Sequence, residues 1–255
     1  MRFSMLGSGS QGNGTLIQSG STIVLIDCGF MLRDAERRIR ELGIAPHDLT
    51  AVIVTHEHYD HIGGVARLAR KHRLPVWLTD GTRTGWRDAP VPRNQRVVAG
   101  EAFAIGDIRV EPFAVPHDAR EPCQYVVGNG AFRVGVVSDA GSVTDAMRAA
   151  LTGCDALLLE FNHDSDMLAN GPYLPPLKAR VGGPLGHLSN AQAAELVASL
   201  DNSRLRHLVL THLSQKNNTP ELALAAANSV VGSDPGICEV VCAHQDHGLS
   251  WRELN

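Results

Sequence analysis

Short apolar runs alternate with polar turns along most of the chain, and this pattern predicts many strands and few helices. Nine of these runs are rich in aliphatic side chains and are bounded by Gly, Pro, Asp or Asn, which is typical of strands. They are Thr22–Ile26, Ala51–Val54, Val76–Leu78, Ile108–Val115, Gln124–Val127, Phe132–Val137, Ala156–Leu159, His207–Leu210 and Cys238–Val241. Gly128-Asn129-Gly130 lies between two of them, and its residues accept a positive φ, so we predict a hairpin turn there.

Four segments show helical periodicity or capping signals instead. They are Asp34–Leu42, Ile62–His72, Asn190–Leu200 and Glu221–Val230. Gly43 can provide a left-handed cap for the first helix, and Ser189 and Gln192 form a capping box before the third. Thr219-Pro220 places an N-cap and a first-turn proline before the fourth helix.

The organisation of the chain indicates one domain. No linker, fixed-period repeat or low-complexity segment divides the sequence, so we expect residues 1–255 to fold together. Thr82–Pro92 and Asp164–Pro184 are polar and rich in Pro and Gly, and we predict that both are long loops. Long ordered loops in compact domains often carry function.

Composition and charge exclude several classes of protein. The chain has 255 residues, of which 44% are hydrophobic, and this is enough to bury a substantial core. A formal net charge of −4 excludes a uniformly basic nucleic-acid coat but allows a local basic patch. No apolar run is long enough for a membrane span, and the first ten residues lack the apolar region of a signal peptide. Five cysteines without a C-x-x-C pair argue against a disulfide framework, so we expect a soluble cytoplasmic protein with no membrane partner.

The strongest chemical signal is Thr55-His56-Glu57-His58-Tyr59-Asp60-His61, directly after the predicted strand Ala51–Val54. Four potential metal ligands fall within six residues, which chance rarely produces after a buried strand. His56 and His58 share one face of an extended loop, while Asp60 and His61 lie where the chain turns into a helix. Imidazole and carboxylate groups together suit two adjacent divalent cations, with Zn²⁺ preferred and Mn²⁺ as the alternative.

Three further candidate ligands follow other predicted strands. His117 follows Ile108–Val115, Asp139 follows Phe132–Val137, and His212 follows His207–Leu210. Functional residues often lie on the loops at strand ends. A single residue in such a position is more often a loop residue without a metal than a ligand. Because the first cluster is already present, we expect these three residues to be the remaining ligands.

The H-x-H-x-D-H pattern from His56 to His61 resembles the signature of the metallo-β-lactamase superfamily, and the resemblance covers nearly the whole chain. It implies an α/β (α+β) fold arranged as an αββα four-layer sandwich, in which two mixed sheets pack face to face between helices. It also implies two metal sites joined by a bridging Asp139. The first would be held by His56, His58 and His117, and the second by Asp60, His61 and His212. Asp27 matches an acid that, in this family, orients the metal-binding loop without binding metal.

The C-terminal half is similar to the ribonuclease Z group of this superfamily, in Gly186-His187-Leu188-Ser189-Asn190-Ala191-Gln192-Ala193-Ala194 and in Leu208-Val209-Leu210-Thr211-His212-Leu213-Ser214. The chain is still more similar to the YycJ/WalJ subfamily of nuclease-like proteins. The segments that match this subfamily are Ser8-Gly9-Ser10-x-Gly12-Asn13, Glu160-Phe161-Asn162-His163-Asp164 and His187-Leu188-Ser189-Asn190. The resemblance implies that His187, paired with Glu160, moves protons for the leaving group. It also implies a nuclease, exonuclease-like in action, although no counterpart of the tRNA-gripping arm of ribonuclease Z is evident.

The expected chemistry is hydrolysis of a phosphodiester by a hydroxide shared between the two cations, with Asp60 accepting a hydrogen bond from it. Nucleic acid, either DNA or RNA, or another phosphodiester is the expected partner. Lys178 and Arg180 are candidate phosphate contacts, with solvated surface charges as the alternative interpretation.

The glycine-rich start of the chain imitates a different motif. Gly7-Ser8-Gly9-Ser10-Gln11-Gly12 matches the dinucleotide-binding pattern G-x-G-x-x-G, but no helix fits between Gly12 and the strand Thr22–Ile26. We therefore predict a β-hairpin here. Asn13 in this turn is a further candidate substrate contact, with a purely structural turn as the alternative.

Other functions remain open at this level. The same metal motif serves phosphodiesterases acting on small molecules and thioester hydrolases of the glyoxalase II kind. A non-catalytic metal-binding module is an alternative of a different class. A complete ligand set argues against that module, unless metal alone stabilises the fold.

Overall fold

The computed structural model describes residues 1–88, 90–91, 93–231 and 238–255. Its strands form two seven-stranded mixed sheets. Within these residues, no helix has the length and apolar character needed to cross a membrane.

The first sheet is built mainly from the N-terminal part of the chain. Its strands are β1 (Arg2–Gly7), β2 (Gly14–Ser19), β3 (Thr22–Ile26), β4 (Ala51–Ile53), β5 (Val76–Leu78), β6 (Asn94–Arg96) and β14 (Leu249–Glu253). They lie in the order β14-β1-β2-β3-β4-β5-β6. The pairs from β14 to β3 are antiparallel and those from β3 to β6 are parallel.

The second sheet repeats this arrangement. Its strands are β7 (Phe103–Ile105), β8 (Ile108–Ala114), β9 (Cys123–Gly128), β10 (Arg133–Val137), β11 (Ala156–Glu160), β12 (His207–Thr211) and β13 (Glu239–Cys242). They lie in the order β13-β12-β11-β10-β9-β8-β7. Strands β10 to β13 are parallel, whereas β7 to β10 pair antiparallel.

The described residues also form α-helices, which lie between strands in the sequence. They are α1 (Leu32–Glu41), α2 (Tyr59–Ile62), α3 (Val65–His72), α4 (Asp80–Gly85), α5 (Asp145–Leu151), α6 (Ser165–Asn170), α7 (Pro175–Val181), α8 (Asn190–Ala198) and α9 (Pro220–Val231). Three buried apolar clusters define the layers: one under α1 and α3, one between the sheets, and one under α5, α8 and α9. The four-layer αββα arrangement predicted from the sequence is therefore confirmed.

All nine predicted strands are present, with ends that shift by no more than one residue. The N-terminal hairpin is also present, since β1 pairs antiparallel with β2, and so is the turn at Gly130, whose φ is +89°. The predicted helix Ile62–His72 is wrong at its start, because the chain forms two helices, α2 and α3, on either side of Gly63-Gly64. A Cβ at Gly64 would lie 1.9 Å from the carbonyl oxygen of Phe30, so close packing of two backbone segments requires glycine there.

The two long-loop predictions are wrong in part. Thr82–Pro92 begins inside α4, whose N-cap Thr79 accepts the Thr82 N–H, while Ala89 and Pro92 lie outside the described residues. Asp164–Pro184 contains α6 and α7. The Asp164 side chain caps α6, and α7 begins at Pro175, where a proline suits the first helical turn. Both helices are short, and residues typical of turns also start helices.

A buried hydrogen bond links the two sheets beneath the histidine-rich loop. The hydroxyl of Tyr125 on β9 donates to the carbonyl oxygen of Val54, which follows β4, at 2.6 Å. Tyr125 is fully buried. This bond fixes the strand end from which the loop 55–61 departs.

We predict that Tyr125→Phe lowers the free energy of unfolding by about 1–3 kcal/mol, because the buried Val54 carbonyl loses its donor. Urea unfolding measures this change. Tyr59→Phe is the matched control, since Tyr59 is exposed and its variant should unfold like the wild type. Equal stability of all three proteins would contradict this role of Tyr125.

Candidate metal centre

The loop after β4 presents the first histidines of the cluster. His56 and His58 precede α2, with His58 in extended backbone at its N-cap, and His61 lies within the first turn of that helix. The ring centroid of His56 lies 4.6 Å from that of His58 and 4.2 Å from that of His61. His56 and His61 are buried, so this part of the cluster is closed to bulk water.

His117 joins this group from the second sheet. Its Nε2 lies 3.2 Å from Nδ1 of His58, and its ring centroid lies 4.8 Å from that of His56. Its Nδ1 faces the carbonyl oxygen of Gly186 at 2.9 Å, a contact that fixes the ring orientation. The ligand atoms of His56, His58 and His117 all lie within 4.8 Å of one another.

Asp60, His61 and His212 form a second group beside the first. The Asp60 Oδ2 lies 3.4 Å from Nε2 of His61 and 3.5 Å from Nε2 of His212. Asp139 lies between the groups, since its Oδ2 is 2.7 Å from His61 Nε2 and 3.9 Å from His56 Nε2. The structure therefore brings together all seven residues that the sequence marked as ligands.

Buried atoms without partners test whether cations fit this cluster. Among the described residues, Nε2 of His56, Nε2 of His212 and both carboxylate oxygens of Asp139 are buried without a partner in hydrogen-bonding geometry. Asp139 Oδ1 lies 2.8 Å from Nδ1 of His212, but the orientation is not that of a hydrogen bond. Burying such atoms is unfavourable unless an ion or water pairs with them. Their number and their nitrogen and oxygen chemistry fit divalent cations.

The electrostatics of the cluster separate a neutral imidazole from cationic ones. Burial lowers the pKa of His61 and of His212, but the carboxylates of Asp60 and Asp139 outweigh it and hold both pKa values well above their usual range. Burial, reinforced by the neighbouring His61, holds the pKa of His56 well below its usual range, so its imidazole is neutral. Burial alone would raise the pKa of Asp139. His212 and His61 outweigh that effect and hold the pKa of Asp139 well below its usual range, so the carboxylate stays ionised.

Asp27 supports the cluster from behind. Its Oδ1 accepts the Thr55 N–H at 2.8 Å, and its Oδ2 accepts the Thr55 hydroxyl at 2.7 Å and lies 2.7 Å from Nδ1 of His61. Asp27 has a φ of +61°, and His212 has a φ of +52°, conformations that are unfavourable for these residues. Such strain concentrates at functional sites. The Ser8 hydroxyl accepts the His212 N–H at 2.7 Å and helps to hold that conformation.

Asn13 lies inside the structure rather than at its surface. Its Nδ2 donates to the carbonyl oxygen of Gly9 at 3.1 Å and to Oδ2 of Asp60 at 3.3 Å. Its backbone N–H donates to the Asp60 carbonyl at 2.8 Å. This placement favours the structural alternative, in which the glycine-rich turn holds the loop that carries Asp60.

Glu160 and His187 form a pair beside Asp139. Glu160 ends β11 and is fully buried, and its Oε2 accepts the backbone N–H groups of Ala140 and Leu188. Its Oε1 lies 2.7 Å from Nδ1 of His187. Burial lowers the pKa of His187, but Glu160 and Asp139 outweigh it and raise that pKa to about 9. His187 is therefore cationic at neutral pH in this arrangement.

A cavity of about 350 Å³ opens over the cluster. Its lining includes Asp60, Asp139, His187 and Arg180 from α7. The Arg180 Nε donates to Oδ2 of Asp118 at 2.6 Å at the rim of the cluster. Lys178, the other predicted phosphate contact, instead donates through Nζ to the carbonyl oxygen of Ala169.

Sequence reasoning overlooked three residues that support the site. They are Ser8, Thr55 and Asp118. Asp118 lies 3.6 Å from Nε2 of His58 and 3.5 Å from Nε2 of His117. Ser8 and Thr55 lie within recognised motifs and Asp118 follows His117, but only the folded chain shows which partner each of them meets.

The sequence matches a known family and two named relatives over most of its length. Residues 22–213 match the family described as Beta-lactamase superfamily domain. The chain is 34% identical to the Exodeoxyribonuclease YycJ of Bacillus anthracis, over 91% of this chain and 89% of that protein. It is 33% identical to the Exodeoxyribonuclease WalJ of Streptococcus pneumoniae serotype 2 strain D39, over 92% of this chain and 90% of that protein.

Solved structures show the same fold. The metallo-β-lactamase fold protein YhfI from Bacillus subtilis superposes with a TM-score of 0.79 at 19% identity, covering 99% of both chains. Zn²⁺-bound PqqB from Methylobacterium extorquens superposes with a TM-score of 0.73 at 18% identity, covering all of both chains.

We predict that Asp27→Ala weakens zinc binding about 10- to 100-fold, because His61 and the loop at Thr55 lose their common acceptor. Competition with a coloured chelator measures this affinity. Asp155→Ala is the matched control, because Asp155 is equally buried but binds Arg133 and Arg204 at the opposite ends of the strands. Unchanged zinc affinity in Asp27→Ala, or an equal loss in both variants, would contradict the supporting role of Asp27.

Proposed function

The chain belongs to the metallo-β-lactamase superfamily of metal-dependent hydrolases, and from this premise we propose that it is an exodeoxyribonuclease. The observation that carries this proposal is its likeness, along nine-tenths of both chains, to the Bacillus anthracis protein of that name. The matched length includes both sheets, so it spans the metal centre and the region of Glu160 and His187. Single-stranded DNA is the proposed substrate, and RNA is an outcome of the test.

Seven side chains would hold two divalent cations, with zinc preferred and manganese as the alternative. The first cation would be held by His56, His58 and His117, the second by Asp60, His61 and His212, and Asp139 would contact both. Bound at this place, such cations neutralise phosphate charge and lower the pKa of water. The Zn²⁺-bound relative in fold supports the choice of zinc.

Asp60 and Asp139 act at the floor of the cavity. Asp60 is partly exposed there, and its Asn13 contact fixes the direction of its carboxylate. From this position, Asp60 orients the attacking water by accepting a hydrogen bond from it. Asp139 is buried and keeps its negative charge between the two groups of ligands.

His187 is proposed to assist the leaving group. Glu160 lies at Nδ1 of the His187 ring, so Nε2 is available to the cavity that His187 lines. A cationic imidazole there can donate a proton to the oxygen that leaves phosphorus. General acid catalysis of this kind contributes about 10²–10⁴-fold to a rate.

Three alternatives are to be separated from nuclease action. A thioester hydrolase of the glyoxalase II kind would share the metal ligands but would not account for the likeness to the two exodeoxyribonucleases. A non-catalytic metal-binding module would not need the buried Glu160 beside His187. An enzyme that cleaves a small phosphodiester would use the same groups. Activity on substrates of different length distinguishes it from a nuclease.

A substrate panel tests the proposed function. The zinc- or manganese-loaded protein is incubated with an end-labelled single-stranded DNA 12-mer, the matching RNA, bis-p-nitrophenyl phosphate and S-lactoylglutathione. We expect stepwise release of mononucleotides from the DNA. Hydrolysis of the thioester alone, or of no phosphodiester in the panel, would overturn the assignment.

We predict that His187→Ala lowers kcat for DNA about 10²- to 10⁴-fold while the bound metal content stays unchanged, because the leaving group loses its proton donor. Steady-state kinetics and elemental analysis measure the two quantities. His47→Ala, at an exposed histidine outside the cluster, is the control and should retain full kcat. Full turnover by a metal-loaded His187→Ala protein would refute the role.

We predict that Arg180→Ala raises KM for single-stranded DNA about tenfold, since a charge-assisted contact to phosphate is lost at the rim of the cavity. Lys178→Ala is the matched control on the same helix, because its ammonium group binds the Ala169 carbonyl. Equal KM values for the wild type and Arg180→Ala would count against the contact. A larger rise of KM in Lys178→Ala would assign the phosphate contact to Lys178 instead.

A further inference from the structure

A second cavity adjoins the metal centre and has no part in the mechanism above. Its volume is about 590 Å³, and it shares His58 and Tyr59 with the cavity over the cluster. The two cavities therefore meet at Tyr59. We call the second one the Tyr59 chamber and define it by Glu57, Tyr59, Arg67, Arg87 and Arg120, which line it.

Two glycines bring the walls of the Tyr59 chamber into close contact. A Cβ at Gly85, the last residue of α4, would lie 2.6 Å from Cγ of Glu57. A Cβ at Gly63 would lie 3.0 Å from Cζ of Tyr59, so the tyrosine ring rests directly on the backbone beneath it. The walls of the chamber are thus packed segments, and one edge of the Tyr59 ring rests on the backbone at Gly63.

Arginine side chains from three separate segments meet at the rim of the chamber. Arg67 comes from α3, Arg87 from the segment after α4, and Arg120 from the connection between β8 and β9, and all three are exposed. The Arg67 guanidinium contacts the Gly63 carbonyl and the Met31 sulfur, and neither group neutralises its charge. Guanidinium groups in such a setting suit phosphate oxygens.

Tyr59 presents an aromatic ring at the junction of the two cavities. Tyr59 is 69% exposed, whereas tyrosine ranks between the buried and the exposed residue types. It stands between His58 and Asp60, two residues of the metal cluster. An exposed ring in a groove is a typical platform on which a nucleic-acid base stacks.

Glu57 adds a carboxylate to the wall of the chamber. Its Oε1 accepts the Arg120 backbone N–H at 2.9 Å, while its Oε2 is buried without a hydrogen-bond partner among the described residues. Asp88 adds a second acidic side chain to the lining. Because carboxylates repel phosphate, the phosphates of a strand bound here would lie at the arginine rim.

We propose that the Tyr59 chamber binds the stretch of single-stranded DNA next to the phosphodiester being cleaved. A base stacks on Tyr59, and the phosphates of the following nucleotides contact Arg67, Arg87 and Arg120. This inference rests on the proposed function, because it extends the path of the substrate from the metal centre. On this proposal, the chamber makes the enzyme prefer polynucleotides to short substrates.

The first test is the dependence of activity on substrate length. We define the length ratio as kcat/KM for a single-stranded 12-mer divided by kcat/KM for a dinucleotide, both measured with metal-loaded protein. This ratio should fall about tenfold or more in Tyr59→Ala and in Arg67→Ala/Arg87→Ala. Tyr59→Phe should keep the wild-type ratio, because stacking needs the ring and not the hydroxyl. Arg109→Ala/Arg148→Ala is the charge-matched control, with Arg109 at the start of β8 and Arg148 on α5.

The second test is binding without turnover. Fluorescence anisotropy with a labelled phosphorothioate dT 12-mer, measured over a range of KCl concentrations, gives the salt dependence of the affinity. Each lost phosphate contact on single-stranded DNA reduces the slope of log K against log salt by about 0.7. We expect a reduction of about 1.4 in the Arg67→Ala/Arg87→Ala protein and none in the control pair.

The outcomes separate the chamber from the proposed function. If the wild type cleaves no DNA, the proposed function fails, and the binding test alone decides whether the chamber holds the strand. If the length ratio and the salt slope both match the wild type in Tyr59→Ala and Arg67→Ala/Arg87→Ala, the chamber assignment is overturned. Loss of the ratio in Tyr59→Phe as well would also overturn it, since a hydroxyl contact would then replace stacking.

Discussion

The structure depends on one electrostatic constraint, which is the burial of the ionised Asp139 carboxylate among imidazole rings. Its two oxygens have no partner in hydrogen-bonding geometry among the described residues, and Nε2 of both His56 and His212 are in the same situation. An apolar sandwich cannot hold such a group without compensation. Under the proposed function, two divalent cations would provide that compensation, and the candidate ligands, the Asp27 support and the cavity above lie around the place where they would bind.

The topology explains how residues so far apart in sequence reach one place. Strands β3, β4, β8, β10, β11 and β12 end at the same edge of the sandwich, and a chemically active residue follows or ends each of them. The bond from Tyr125 to Val54 joins the two sheets just below that edge. Rigid strand ends hold the cluster, and the surrounding helices and connections form the cavity and the adjoining Tyr59 chamber.

Local signals predicted the strands and the residues that cluster at the strand ends, because both depend on short stretches of sequence. The apolar run Ala51–Val54 and the histidines after it are examples. The short helices α6 and α7 were taken for a loop, since Asp164 and Pro175 suit turns as well as helix starts. The break before α3 depends on the contact of Gly64 with Phe30, which no local pattern reveals. The partners of Asn13 and Lys178 likewise appear only in three dimensions.

The most direct test of the central claim is anomalous diffraction at the zinc edge from crystals of the zinc-loaded protein. The account predicts two peaks, one in contact with His56, His58 and His117 and the other with Asp60, His61 and His212. Both peaks should lie within bonding distance of the Asp139 carboxylate. A cluster without any peak, with Asp139 instead hydrogen-bonded to a protonated histidine, would contradict the account.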